Sequence, residues 1–496
     1  MLVANTGYGT LQWMATADKP WITINPASGT EEGFLSVGVD PTGLAAGDYW
    51  GTVTVADPNA IGSPKKITVN LTVEAAGGAS PPFGFFDTPI DGTTGITGAI
   101  PVTGWALDDV EAVGVKIYRD PDPSDPSGAI GPNGLVYVGD AVFVEGARPD
   151  VEMSWNARGR PFSYRAGWGY MMLTNMLPGH GNGVYKIYAF ASDLEGNTTL
   201  LGTKTITCDN AHGVKPFGTI DTPAQGGGAS GAAFANFGWV LTPQPNEVPK
   251  DGSTIAVWID GVSIGRPVYD VYRKDVAENF PGLKNSNGPV GYYYFDTTKY
   301  AAGVHTIWWT AEDSGGNADG IGSRYFTIAN AGADTLEGNR EKALNDPAGR
   351  SGDARRGRRR DVLRCATAVE ILEVPLSVSP IAFRRGFNLA APPMVIGPEK
   401  DGSYQVDIKE VEIIRLYLDP KEIGEDNPHT RYSGFLIVGE ELRPLPIGST
   451  LDPVKGTFSW LPGPGFLGTY DLVFVKETAF GATTRIQVAV TIKPKY

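Results

Sequence analysis

One stretch of this chain occurs twice, and the repeat limits what the chain can fold into. Phe83-Gly84, Asp87-Thr88-Pro89 and Gly104-Trp105 return as Phe217-Gly218, Asp221-Thr222-Pro223 and Gly238-Trp239, always 134 residues later. Gly183-Val184, Asp193, Gly196-Asn197 and Gly202 return as Gly303-Val304, Asp313, Gly316-Asn317 and Gly322, at an offset of 120. Two starts and two ends in register define a duplicated module of about 81–210 and 213–330, the first copy carrying the longer middle. Short runs rich in Val, Ile, Thr, Tyr and Trp lie between the repeated glycines and prolines, and almost none has a sustained helical period, so each copy reads as β-rich.

The rest of the chain has the same grain. Its 496 residues, with 65 Gly and 38 Pro, suit three or four domains punctuated by tight turns. The fold class expected is all-β: tandem immunoglobulin-like β-sandwiches arranged as an elongated rod. A net charge of −14 excludes a general nucleic-acid or anionic-membrane binder, because phosphate must be met by Lys and Arg. No apolar run is long enough to span a bilayer. Met1 to Asn5 has neither a basic nor an apolar region of the secretory kind, so no signal peptide is expected in this chain. Cys208 and Cys365 are no disulfide framework. Each reads as a small core or strand residue, with one disulfide between them as the other option.

Residues 1–75 form the first unit. Phe34 to Val39, Tyr49 to Val55 and Ile67 to Val73 alternate as half-buried strands. The segments PWITINPASGT, VDPTGLAAGDYWGTVTV and ITVNLTV together resemble a BACON domain, which implies an Ig-like sandwich of secreted bacterial proteins, often found beside carbohydrate-active domains. Such modules usually open with one further strand, and only four residues precede Asn5 here. A sandwich without it leaves unpaired backbone groups beside an open groove that another segment should fill.

Ala75 to Pro82 is a short linker. In each duplicated copy the Gly-Trp pair is expected on an inner strand as a core anchor. Val113 to Tyr118 matches Ile255 to Ile259, and Asp260-Gly261 signals a hairpin turn. The Asp193 and Asp313 turns resemble the Asp-x-x-Gly-Asn hairpins of bacterial Ig-like and fibronectin-like modules. The middles, roughly 144–180 and 266–290, are too long for hairpin loops and rich in aromatics; Arg148-Pro149 and Arg266-Pro267 are read as their matching point. Residues 331–368 form a linker with a basic run, Arg355-Arg356-Gly357-Arg358-Arg359-Arg360, read as a solvated strip, a processing site or a docking strip. From 369 to 496 the chain is β again, and LPIGSTLDPVKGTFSWLPGPGFLGTYDLVFV is similar to the putative-Ig, dystroglycan-type cadherin-like modules of bacterial surface proteins. These resemblances imply an extracellular or cell-surface protein.

Chemistry is sparse. Four scattered histidines have no zinc or iron spacing. Calcium has more support, at Asp120, Asp122 and Asp125 in one loop and at the Asp193 and Asp313 turns, where the competing role is turn capping. No nucleophile elbow, facing carboxylate pair in a motif or phosphate loop is present, so catalytic residues and cofactors are entered as none and an enzyme is not expected. The candidate glycan or partner contacts are Trp155, Trp168, Tyr170, Tyr269 and Tyr272, since sugars stack their C–H faces on such rings; the competing role is core or module contact. Of Tyr292 to Phe295, only alternate residues can be exposed.

Two functions are weighed. One is a structural subunit of a filament that self-associates by strand donation, with Leu376, Val378, Ile381 and Phe383 pairing beside Asn5, Leu11 and Trp13 of the next copy. The donor segment also reads as the first strand of its own C-terminal domain. The other is a protein that binds polysaccharide, or adheres, through the aromatic insertions. A part of a larger anchored enzyme is a third option.

Overall fold

The computed structural model describes all residues except 1, 4–8, 32, 61, 74–79, 157–159, 330–367, 389–390, 421–422, 424–428 and 480. The fold is all-β, and it groups into two compact units, one centred on Met1–Ser80 and the other formed by the described residues from Pro81 onward. Cys365 and the basic run lie outside the described residues. Cys208 is buried, and burial pushes its thiol up to about 12.

In the first unit Ser28–Thr30, Gln12–Ala17, Gly47–Ala56 and Lys65–Val73 form a four-stranded sheet in that order. Ile22–Asn25 pairs with Ser36–Val39, and Leu2–Val3 with Gly33–Phe34. Alternation turns Trp13 and Ala15 into a core with Trp21, Ile22, Leu35, Val53 and Val55. Gly29 is needed there, because a Cβ would collide with the Trp13 indole.

The expected vacancy beside Trp13 is filled from within the chain. Gln12, Trp13 and Met14 pair with Thr30, Gly29 and Ser28, and Met14 to Ala17 pair with Ala56 to Val53 on the other side. Leu11 O accepts from Glu31 N at 2.8 Å. Asn5 lies outside the described residues. The expected donor is also spent at home. Ile381–Arg385 sits between Met394–Ile396 and Ile414–Tyr417, with Ile381 and Phe383 in the core of the C-terminal sandwich. Leu376 bridges to Arg485, and Val378 is exposed. Burying Ile381 and Phe383 locally needs no loop closure to a distant sheet, which is why the segment stays with its own domain.

In the second unit, copy 1 is one continuous seven-stranded sheet, because Val136–Phe143 pairs with Ala112–Arg119 at its start and with Gly167–Leu173 at its end. Copy 2 keeps two sheets, of four and five strands. Asp260 and Gly261 (φ 48° and 75°) make the two-residue hairpin turn between Ile259 and Val262. The C-terminal sandwich has two five-stranded sheets, with Ser403–Lys409 parallel to Thr483–Lys493.

These three sandwiches do not simply follow end to end as expected: each touches the other two. Tyr470 OH donates to Ala147 O in copy 1, and Arg443 Nη2 reaches Glu152 Oε1 at 2.6 Å. Thr450 Oγ1 donates to Asp260 O, and Tyr325 OH to Pro464 O, tying the C-terminal sandwich to copy 2. His180 of copy 1 packs against Phe280 of copy 2, with centroids 5.7 Å apart and the rings tilted 51°. Buried aromatic and apolar rows on the sandwich faces drive this closure, since each face left in water would be unfavourable.

Candidate functional site

The long middles of the two copies solve the same structural problem. In copy 1 the helix Pro149–Asn156 lies over the outer face of the strands Phe83–Thr88 and Ala99–Leu107, and Trp155 packs on Phe83 and Trp105 with centroids 4.9 and 6.4 Å away. In copy 2 the helix Lys274–Asn279 does likewise, with Phe280 at 5.3 and 5.5 Å from Phe217 and Trp239. Arg148 forks between Asp87 and Asp150, and Arg273 forks between Asp221 and Asp275. The partner of Arg148 is therefore Arg273 rather than Arg266. Arg148-Pro149-Asp150-Val151 and Arg273-Lys274-Asp275-Val276 show the match in sequence; the shared Arg-Pro dipeptide is coincidental, whereas Arg-x-Asp-Val places a guanidinium, its carboxylate and a buried valine.

The Gly-Trp pair also works differently from the expected core anchor. Trp105 and Trp239 lie outward, under the insertion helices. The preceding Gly104 and Gly238 face the core, where a Cβ would press on Trp168 and Trp309 respectively. The glycine makes room for a core indole, and the tryptophan anchors the cap.

The expected glycan contacts separate accordingly. Trp168 is 0% exposed in the core of copy 1. Trp155 is the half-buried plug of the helix. Tyr170 is half-buried, its OH donating to Val138 O at 3.2 Å. Tyr269 is buried and donates to Val240 O at 2.7 Å. These four are structural, and they form no common surface. Tyr272, at 60% exposure, is the member of the set that faces water.

Beyond each insertion helix the same sheet face continues, and there the copies diverge. In copy 1 the row is Thr88, Thr103 and Gly169. It is covered by the C-terminal sandwich: Thr88 and Thr103 bond Glu410, and a Cβ on Gly169 would collide with the Pro464 carbonyl. In copy 2 the register places Thr222, Phe237, Tyr292 and Val268 in the corresponding row, and Tyr294 in the next. Phe237 and Val268 are exposed, and Tyr294 is 57% exposed. Ring centroids are 6.3 Å apart for Phe237 and Tyr292, and 5.8 Å for Tyr292 and Tyr294, with planes tilted 43° and 69°. Tyr293 and Phe295 point to the core, so the strand exposes alternate rings. Sequence pattern alone could narrow the exposed pair to Tyr292 and Tyr294 or Tyr293 and Phe295. Phe237 was missed because a phenylalanine beside Gly-Trp looks like core.

The carboxylate loop considered for calcium is closed by a cation of its own. Arg119 pairs with Asp125, Asp122 Oδ1 caps Ser124, and Tyr188 OH donates to Asp120 at 2.7 Å. The Asp313 turn is saturated by donors from Thr242, Asn246, Gly315 and Asn317.

Residues 1–74 match the family described as Viral BACON domain. No curated protein matches in sequence. Among solved structures, fibronectin(III)-like modules of Clostridium thermocellum CbhA are 12% identical, covering 54% of this chain and all of theirs, with a TM-score of 0.15. SGBP-B of the Bacteroides ovatus mixed-linkage glucan utilization locus, solved with a mixed-linkage heptasaccharide, is 9% identical over 84% of this chain and 71% of its own, with a TM-score of 0.16. Zebrafish RET cadherin-like domains are 8% identical over 99% and 95%, at 0.14. Scores this low tie the chain to none of the three. Among the described residues no helix is long and apolar enough to cross a membrane. The chain is a multi-domain all-β protein whose residues 1–74 match the viral BACON domain family.

Proposed function

We propose that the chain is a non-enzymatic recognition protein that binds a polysaccharide through the outer sheet face of copy 2. The carrying observation is the row of exposed Phe237 and Tyr294 with half-buried Tyr292 between them, on a face whose equivalent in copy 1 is closed by another domain. Exposed aromatic rows of this kind mark binding sites, and tyrosines offer an apolar ring with a hydrogen-bonding rim, which suits the amphipathic faces of a sugar. The tilts between rings suit a single twisted glycan chain rather than a flat crystalline surface. Because the matched N-terminal family is described as viral, the setting we propose is the surface of a virus particle meeting a host glycan.

Strand donation has no part in this proposal, since the sheet beside Trp13 and the strand Ile381–Arg385 are both paired within the chain. A second possibility draws on copy 1, whose face docks a β-sandwich: the copy 2 face would then adhere to a protein domain. A glycan array with the full chain, repeated with Tyr294→Ala and Phe237→Ser, separates them. Retention of a glycan class that falls at least tenfold in both variants, with melting unchanged, supports the proposal. No retained glycan, or retention unaffected by both changes, overturns it.

A further inference from the structure

The two Asp-x-x-Gly-Asn turns were built by the same duplication, but only one of them is electrostatically closed. In copy 2, Thr242 Oγ1 and Asn246 Nδ2 donate to Asp313 Oδ2 at 2.7 and 3.2 Å, and Asp313 Oδ1 accepts from the Gly315 and Asn317 backbones. In copy 1 the residue in the place of Thr242 is Asp108, and the residue in the place of Gly315 is Glu195. Two neutral residues have become carboxylates, facing a third that is retained, Asp193.

Their oxygens converge. One carboxylate oxygen from each of Asp108, Asp193 and Glu195 lies within 4.8 Å of the others. Asp193 accepts from Asn197 N and Nδ2, as its counterpart does. Asp108 Oδ2 accepts from Val110 N and Glu111 N at 3.0 and 3.1 Å. Its Oδ1 is buried without a hydrogen-bond partner, in a side chain only 1% exposed. A buried, unsatisfied carboxylate oxygen beside two more carboxylates is costly unless a cation or a proton joins them.

We propose that Asp108, Asp193 and Glu195 form a calcium site at this end of copy 1. Calcium takes oxygen ligands at about 2.3–2.6 Å, so two such bonds span the separation seen here. Asp108 supplies the buried ligand, and Glu195, on the exposed side, leaves room for water to complete the shell. Bound calcium would also brace the insertion: Leu194 N donates to Glu111 O, and the Glu111 carboxylate pairs with Arg165 of that segment. Copy 2, with Thr242 and Gly315, needs no ion.

The test uses the full chain freed of metal with a chelator. Calorimetric titration with calcium chloride should show one site with a Kd of about 0.1–1 mM, as in extracellular modules, and about 10 mM calcium should raise the melting temperature by a few degrees. The double variant Asp108→Thr with Glu195→Gly imports the copy 2 solution, so it should fold, and it should lose the calcium response at least tenfold. Magnesium, which prefers a tighter octahedron, should substitute poorly. Absence of calcium heat and of a melting shift in the unaltered chain would mean that a shared proton joins the carboxylates, and the proposal fails. It fails equally if the double variant still responds.

Discussion

Glu410 sits where the C-terminal sandwich meets copy 1, and its ionisation should set how the second unit responds to pH. The side chain is 2% exposed. Oε2 accepts from Lys495 N at 3.1 Å, while Oε1 lies 2.9 Å from Thr88 Oγ1 and 3.1 Å from Thr103 Oγ1, which are 2.6 Å from each other. Those last three contacts form a ring of three oxygens. Two hydroxyl hydrogens cannot fill three contacts, but a protonated carboxyl supplies the third. Burial accordingly pushes Glu410 up to about 7; the hydrogen bonds from Lys495, Thr88 and Thr103 oppose this without cancelling it, and nearby Asp87 adds to it. Between about pH 4.5 and 7 the folded state holds a proton that the unfolded chain has released, so this stability is fully present below that window and lost as pH rises through it. At about 1.36 kcal/mol per pH unit, the loss is about 3 kcal/mol. Glu410→Gln keeps a donor for the threonines and an acceptor for Lys495 N, and cannot ionise. Urea unfolding of both proteins from pH 4.5 to 8 isolates the effect from other carboxylates, because only the difference is read. The variant should match the parent at the acid end and exceed it by about 3 kcal/mol at pH 8. A difference that does not change with pH would refute the reasoning.

Arg148→Met should destabilise copy 1 by about 3–5 kcal/mol, because Arg148 (9% exposed) leaves Asp87 behind in a desolvated site. The matching Arg273→Met, at 35% exposure, should cost about 1 kcal/mol after solvent screening, and chemical denaturation of the two variants checks the contrast. Gly169→Ala should loosen the C-terminal sandwich, since the added methyl meets the Pro464 carbonyl. Amide exchange should then rise around Phe458 to Tyr470, by an opening free energy lower by about 1–3 kcal/mol, while unchanged exchange would deny that contact its role.

The β architecture was legible because alternation and turn residues are local. Asp260-Gly261 specified its turn, and the repeated Gly-Trp pair specified two strands. What the pair does was not legible, because the residue that fills the space over the glycine comes from elsewhere: Trp168 from a cross-strand neighbour in copy 1, and Trp309 from the other sheet in copy 2. The aromatic-rich insertions looked like binding loops for the same reason. Trp155 sits on a helix of about two turns and Phe280 directly follows a shorter one, too short for a readable period, and only the tertiary contact reveals these two rings as plugs. Arg-x-Asp-Val was visible in both copies and carried the correct alignment.

A duplicated sandwich begins with two identical outer faces, and here they have been driven apart by what covers them. Gly169 and Thr103 are small because the Pro464 backbone and Glu410 must approach; a ring at either position would hold the C-terminal sandwich away. No such constraint acts on the positions of Tyr292 and Phe237, yet they are not simply polar, as an idle exposed face would be. Exposed rings in a row carry a cost in solubility, and that cost is offset only if something binds them. The same logic holds at the paired turns. Thr242 and Gly315 close theirs with neutral groups, so the carboxylates at Asp108 and Glu195 would be a net cost without an ion. In both places it is the difference between the copies, rather than the repeat itself, that points to function.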